Sequence, residues 1–208
     1  MRTGIFVVLL CACSGSGSST SDGPPGGGGG GGGGSGTHKD AAMADVPGGT
    51  GEPTDLTGIT MDHNVVRAMV DTTGIAAGPL PPLAWDPNLA SYAAAWAAMC
   101  QSTGGQLLDH DPNRTNVAGY AYIGENIYAS SGTATAQGAV DAWAAEKQYF
   151  TYPDTCATGQ VCGHYTQVVW RDTTHVGCAL QNCPALQFPS NIVCDYGPGG
   201  NYEGQAPY

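Results

Sequence analysis

The side chains that could do chemistry in this chain are imidazoles and carboxylates. There are five histidines, at 38, 63, 110, 164 and 175. His38 lies in a low-complexity stretch, and His175 follows the polar turn Arg171-Asp172-Thr173-Thr174 and reads as solvated. His110 stands in LLDHDPN, and His164 heads GHYTQVVW. Glu125 sits among apolar neighbours in GENIY. Glu146, in AWAAEKQYF, comes three residues after Trp143 on a helix that must bury the indole. Brought together, His110, Glu125, Glu146 and His164 would offer nitrogen and oxygen ligands to a divalent cation such as zinc. They would serve equally as a general acid–base cluster. The gaps of 15, 21 and 18 residues match no local ligand motif, so only the fold can make them converge. A hydrolase or protease would use a cation held by these residues to activate water, with a Glu as base, but neither G-x-S-x-G nor H-E-x-x-H occurs to support one. An enzyme is not the expectation.

The elements that must position these groups are legible in part. Ile59 to Val70 reads as a helix with Thr60 as N-cap and Met61, Val65, Ala68 and Met69 as its apolar stripe. Asp86-Pro87 is an N-cap followed by proline at the first helical position, opening a helix to about Cys100. A third helix spans about Thr135 to Phe150. GHYTQVVW has the β-branched and aromatic content of a strand, predicted over His164–Trp170, with His164 at its mouth. Further strands are predicted at His175–Leu180 and Asn191–Tyr196. Helices early and strands late imply α+β, a sheet covered by helices on both faces.

The 208 residues carry a formal charge of −11 with only six Lys and Arg, which argues against nucleic acid or anionic membrane as a partner. The first residues read as an export signal: a basic Met1-Arg2-Thr3, then an apolar run too short to span a bilayer. Leu10-Cys11-Ala12-Cys13 resembles a bacterial lipobox, with Cys13 as the lipidated residue at the end of a 1–13 signal. Residues 14–57, including the unbroken Gly26 to Gly34, lack apolar content and read as a flexible linker. A single domain over 58–208 remains, with twelve acidic and four basic side chains. Cys100, Cys156, Cys162, Cys178, Cys183 and Cys194 form an even set in an exported domain, suggesting three disulfides. Zinc is the alternative use, but no C-x-x-C occurs. Spacing alone leaves 15 connectivities open.

Five ordered blocks resemble the CAP superfamily (cysteine-rich secretory proteins, antigen 5 and plant pathogenesis-related protein 1). They are DHNVVR, GENIY, AVDAWAAEKQYF, GHYTQVVWRDT and IVCDYGPGGNY, covering about 59–208. The detail leans toward the plant pathogenesis-related branch. The resemblance implies a three-layer α-β-α sandwich. Carried over motif by motif, the family's two His and two Glu fall on His110, Glu125, Glu146 and His164, with zinc as the expected cation. It places His63 outside that tetrad, as structural. It also implies the pairs Cys100–Cys183, Cys156–Cys162 and Cys178–Cys194. Two departures stand out: Asp195 where Asn is usual, which is expected to leave the tetrad untouched, and Asn191 where an apolar residue is usual.

The resemblance further implies a non-enzymatic binding module for sterols, lipids or other small apolar ligands, or for a protein partner, in the extracellular space or cell envelope. An outer-membrane or surface lipoprotein would touch membrane only through its N-terminal anchor. The family's aromatic loop corresponds to Tyr149, Phe150 and Tyr152, although Ala157 stands where a further aromatic is wanted. Ordinary packing at a helix end is the competing role for these rings. PGGNYEGQAPY resembles a C-terminal signalling peptide of plant members, but Gly197 precedes Pro198 where Asp is usual, and packing on the domain is the favoured expectation.

Overall fold

The computed structural model describes residues 51–74 and 78–208. The signal, the Cys13 lipidation site, His38 and most of the linker lie outside the described residues. The helices are α1 (Ile59–Ala68), α2 (Pro87–Ala97), α3 (Ala136–Ala145) and α4 (Gly163–Val168), with 3-10 turns at Thr54–Leu56 and Glu146–Tyr149. The strands are β1 (Ala84–Trp85), β2 (Thr115–Val117), β3 (Tyr120–Tyr122), β4 (Gly124–Ser130), β5 (Phe150–Thr151), β6 (Thr155–Cys156), β7 (His175–Asn182) and β8 (Ser190–Gly197). β1-β7-β8-β4 form the main sheet, with β1 parallel to β7 and the other pairs antiparallel. β2–β3 and β5–β6 are separate hairpins.

Alternation along β8 makes the layers. Ile192, Cys194 and Tyr196 join Ile59, Trp143, Tyr165 and Val168 in the core beneath α1, α3 and α4. Val193 joins Ile127, Ala179, Ala93 and Ala97 in the core beneath α2. The result is the expected α-β-α sandwich. Gly177 is needed where α2 meets the sheet, because a Cβ there would collide with the backbone of Asp86, Leu89 and Ala90. Asp86 caps α2 by accepting from the Asn88 and Leu89 amides, with Pro87 at the first helical position, as the sequence predicts. β7 and β8 also form where expected, each slightly longer. The three disulfides are Cys100–Cys183, Cys156–Cys162 and Cys178–Cys194.

Four expectations are corrected. His164–Trp170 is not a strand, since Gly163–Val168 is helical. The strand propensity of Thr166 and Val168 yields to a distant acceptor: the Glu146 carboxylate takes the amides of His164 and Tyr165, which an isolated helix start leaves unpaired. In α1 the buried face is Ile59, Thr60, His63, Asn64 and Arg67, whereas Met61 and Met69 of the predicted apolar stripe are 45% and 69% exposed. Polar side chains can occupy that face because buried partners receive them. Arg67 donates to the carbonyls of Pro81, Val168, Trp170 and Thr173. Asn64 both donates to and accepts from the Leu83 backbone. Nor does Thr60 cap α1. Gly58 is the N-cap residue, in the left-handed region, and Glu52 accepts the amides of Gly58 and Thr60. Glu52 and fully buried Leu56, assigned by composition to the linker, thus take part in the fold.

Candidate functional site

Four side chains from separate elements form two hydrogen-bonded His–Glu pairs. His110 precedes the β2–β3 hairpin, and its Nδ1 lies 2.6 Å from Glu125 Oε1 at the start of β4. His164 lies in the first turn of α4, and its Nδ1 is 2.6 Å from Glu146 Oε1 in the 3-10 turn after α3. Glu146 is saturated. Oε1 meets the imidazole and Oε2 accepts from both the His164 and Tyr165 amides. Glu125 Oε1 also accepts the Asp111 amide, while its Oε2 is buried with no hydrogen-bond partner among the described residues. The carboxylates therefore hold the imidazoles by Nδ1, the arrangement that leaves Nε2 as the ligating atom in metal-binding histidines. Among the described residues, no group of three or more His, Cys, Asp or Glu is gathered so that it could hold a metal ion.

Behind His164 runs a buried polar chain. His63 Nδ1 is 2.7 Å from the Ile59 carbonyl, which can only accept, so Nδ1 carries the proton. Nε2, 2.7 Å from the Tyr196 hydroxyl, then accepts from it. Asn126 Nδ2 donates to the Tyr196 oxygen and to the His164 carbonyl. The Trp143 ring lies against both histidines, 5.8 Å from His63 and 6.3 Å from His164. Burial holds the His63 imidazole neutral, its pKa lowered to about 4. His63 is structural, as expected, and it supports the backbone that carries His164. Sequence reasoning does not single out Asn126 and Tyr196, although Asn126 is the third residue of the Gly-Glu-Asn block.

The expectation that Asp195 leaves the tetrad untouched is overturned. In the β4–β8 register Asp195 pairs with Glu125, and alternation puts both side chains on the face covered by α2. Asp195 is 1% exposed, and neither carboxylate oxygen has a partner among the described residues. Burial first, then the charge of Glu125, push its carboxyl well above the ordinary range, with Arg114 opposing. His175 is also not simply solvated. It is half-buried, with Nδ1 2.8 Å from Thr174 Oγ1 and its ring beside Tyr120.

The aromatic loop sits apart from β4. Phe150 opens the β5–β6 hairpin and packs inward on Tyr165 at 5.7 Å, half-buried. Tyr149 is half-buried, and its carbonyl accepts the Ala157 amide. Tyr152 is 48% exposed. The segment after β8 packs on the domain. Asn201 exchanges hydrogen bonds with Thr166 and Gly163, and the Pro207 carbonyl accepts from Arg171 N.

Two His–Glu pairs on a disulfide-bonded α-β-α sandwich define a recognisable class of protein. The model of the cysteine-rich secretory protein family, CAP, matches residues 61–196. The chain is 41% identical over 148 residues to pathogenesis-related protein 1A of Nicotiana tabacum, covering 70% of this chain and 76% of that protein. It is 37% identical over 149 residues to GLIPR1-like protein 1 of Homo sapiens, covering 70% of this chain and 59% of that one. In structure it is similar to venom allergen-like protein 4 of Schistosoma mansoni, with 27% identity, a TM-score of 0.58, and 75% of this chain and 94% of that one covered. It is also similar to NaASP2 solved with Zn2+, with 25% identity, a TM-score of 0.52, and coverage of 76% and 90%. The chain belongs to the CAP family, in its pathogenesis-related 1 and GLIPR1-like part. Three disulfides among the described residues, in a family described as cysteine-rich secretory proteins, support an extracellular domain.

Proposed function

We propose that this chain is a surface-tethered, non-enzymatic CAP domain that binds a small apolar ligand at the Tyr149, Phe150 and Tyr152 loop. The N-terminal anchor is the lipid on Cys13, consistent with an outer-membrane or surface lipoprotein. The observation that carries the reading is the unequal burial of the loop's rings. Phe150 is fixed against the core, while Tyr152 leaves about half of its surface in water. An apolar ring held half-exposed on a rigid base is a binding feature, because large aromatics dominate interface energetics once covered. The test is a fluorescence titration with cis-parinaric acid and dehydroergosterol. The wild type is compared with a variant carrying Tyr149→Ala, Phe150→Ala and Tyr152→Ala. Saturable binding that the variant loses supports the reading; equal binding by both proteins sends the ligand elsewhere.

A divalent cation at His110 and His164 accompanies this reading. Supporting it are the donor chemistry of two imidazoles each held through Nδ1 by a carboxylate, and the zinc-containing structure of NaASP2. Here the imidazoles act as ligands and Glu125 and Glu146 orient them, the latter because its oxygens already serve three donors. Zinc bound there would supply Lewis acidity or a structural tie between the two pairs. Titration calorimetry with zinc checks it: the protein with both His110→Ala and His164→Ala loses the binding, and equal affinity would remove the site.

A further inference from the structure

The segment after β8 runs the length of α4. The Gly200 amide donates to Gln167 Oε1 at 2.9 Å, and Asn201 bonds to Gly163 and Thr166 at the helix start. The Tyr202 ring lies 6.0 Å from Trp170 and 5.9 Å from Tyr122. Past the helix end, Pro207 is buried and its carbonyl takes the Arg171 amide at 2.7 Å. These contacts deliver Tyr208 to the aromatic loop. Its ring stacks on Tyr152 at 5.3 Å with 22° between planes, and meets Phe150 edge-on at 6.5 Å. Phe150 in turn rests on Tyr165, so the four rings form one continuous ledge.

We infer that Tyr208 is a built-in occupant of the apolar site: its ring covers the faces of Tyr152 and Phe150 that an apolar ligand would take, so ligand and Tyr208 exclude one another. The inference rests on the proposed loop function and gives it a regulation. The anchoring is graded. The Asn201 side chain ties the segment to Gly163 and Thr166, and buried Pro207 ties it to the Arg171 amide, whereas Tyr208 is held by its ring on Tyr152 and Phe150 and by a side-chain contact with Tyr165. A side chain so held can turn away while the rest of the segment stays in place. The observed ligand affinity is then the intrinsic affinity multiplied by the fraction of molecules with Tyr208 displaced. Anything that draws Tyr208 off the ledge opens the site.

The experiment uses the full chain with cis-parinaric acid as probe, comparing wild type, Tyr208→Ala, Tyr208→Trp and Tyr152→Ala. Tyr208→Ala is expected to bind about tenfold more tightly than wild type, and Tyr208→Trp no more tightly than wild type. Tyr152→Ala loses binding. Urea unfolding of each variant shows that the changes are not losses of folding. If Tyr208→Ala binds no better than wild type while Tyr152→Ala still abolishes binding, the loop reading stands and self-occlusion is overturned. If no variant binds, Tyr208→Ala included, the loop reading itself fails, and self-occlusion with it.

Discussion

In the β4–β8 ladder Asp195 stands directly across from Glu125, buried, with no partner for either carboxylate oxygen among the described residues. Two carboxylates on one covered face cannot both keep a full charge at little cost, since each lowers the stability of the other's ionised form. Burial first, and then the neighbouring Glu125, raise the Asp195 carboxyl well above its ordinary range. Asp195, one of the two departures marked by the motif resemblance, therefore pairs in the sheet with Glu125 of the candidate site.

Asp195→Asn removes this burden. Because the folded pKa of Asp195 is raised, its contribution favours folding below the unfolded value near pH 4 and turns against it as pH rises through the folded value. The Asn variant, which cannot ionise, is thus expected to be more stable than wild type near pH 7 by about 1–3 kcal/mol, at roughly 1.4 kcal/mol for each pH unit between the unfolded and folded values. That gain should shrink toward pH 4. Urea unfolding at several pH values measures it, and a gain independent of pH would contradict the assignment.

His63 gives the opposite slope. Its imidazole is neutral in the fold down to about pH 4 but charges near pH 6.5 when unfolded. The unfolded chain binds the extra proton between those values, so stability falls as pH drops through this window. The loss reaches about 3 kcal/mol by its lower end, at roughly 1.4 kcal/mol for each pH unit crossed. His63→Gln keeps one donor and one acceptor in place of the imidazole. It should flatten this part of the stability–pH curve, and an unchanged slope would show that His63 does not cause it.

The two faces of α1 should respond very differently. Arg67→Met leaves the carbonyls of Pro81, Val168, Trp170 and Thr173 without their donor, at an expected cost of about 3 kcal/mol or more. Met61→Gln and Met69→Gln, on the exposed side, should change stability by less than about 0.5 kcal/mol. Similar losses at Arg67 and Met69 would mean that α1 is turned the other way.

That contrast marks where the sequence stops being readable. Asp86-Pro87 starts a helix through its own side chain, so α2 is visible locally. The apolar β-rich runs of β7 and β8 are visible for the same reason. α1 and α4 depend on partners far along the chain. Arg67 is tolerable inside because carbonyls about 100 residues away join that of Pro81 in receiving it, and α4 starts where Glu146 supplies an acceptor. No periodicity encodes those meetings. The His–Glu pairs are legible through motif resemblance, not spacing, while the link from Asp195 to Glu125 needs the register of two strands far apart in the chain.

The disulfides should contribute unequally. Cys100–Cys183 closes a separation of 83 residues and Cys156–Cys162 one of six. Loop-closure entropy grows with the logarithm of the loop, so replacing the first pair with Ser should cost about 2 kcal/mol more than replacing the second. Thermal unfolding of the two double variants measures the difference, and a larger loss from the short loop would contradict it.

The loop reading is tested most directly by locating a ligand on the protein. Palmitate titrated into 15N-labelled full chain should shift the amide resonances of Phe150, Thr151 and Tyr152 first, with those of Tyr165 and Tyr208 following in the same concentration range. Saturating shifts confined to other elements, or none at all, would contradict an apolar site on this loop.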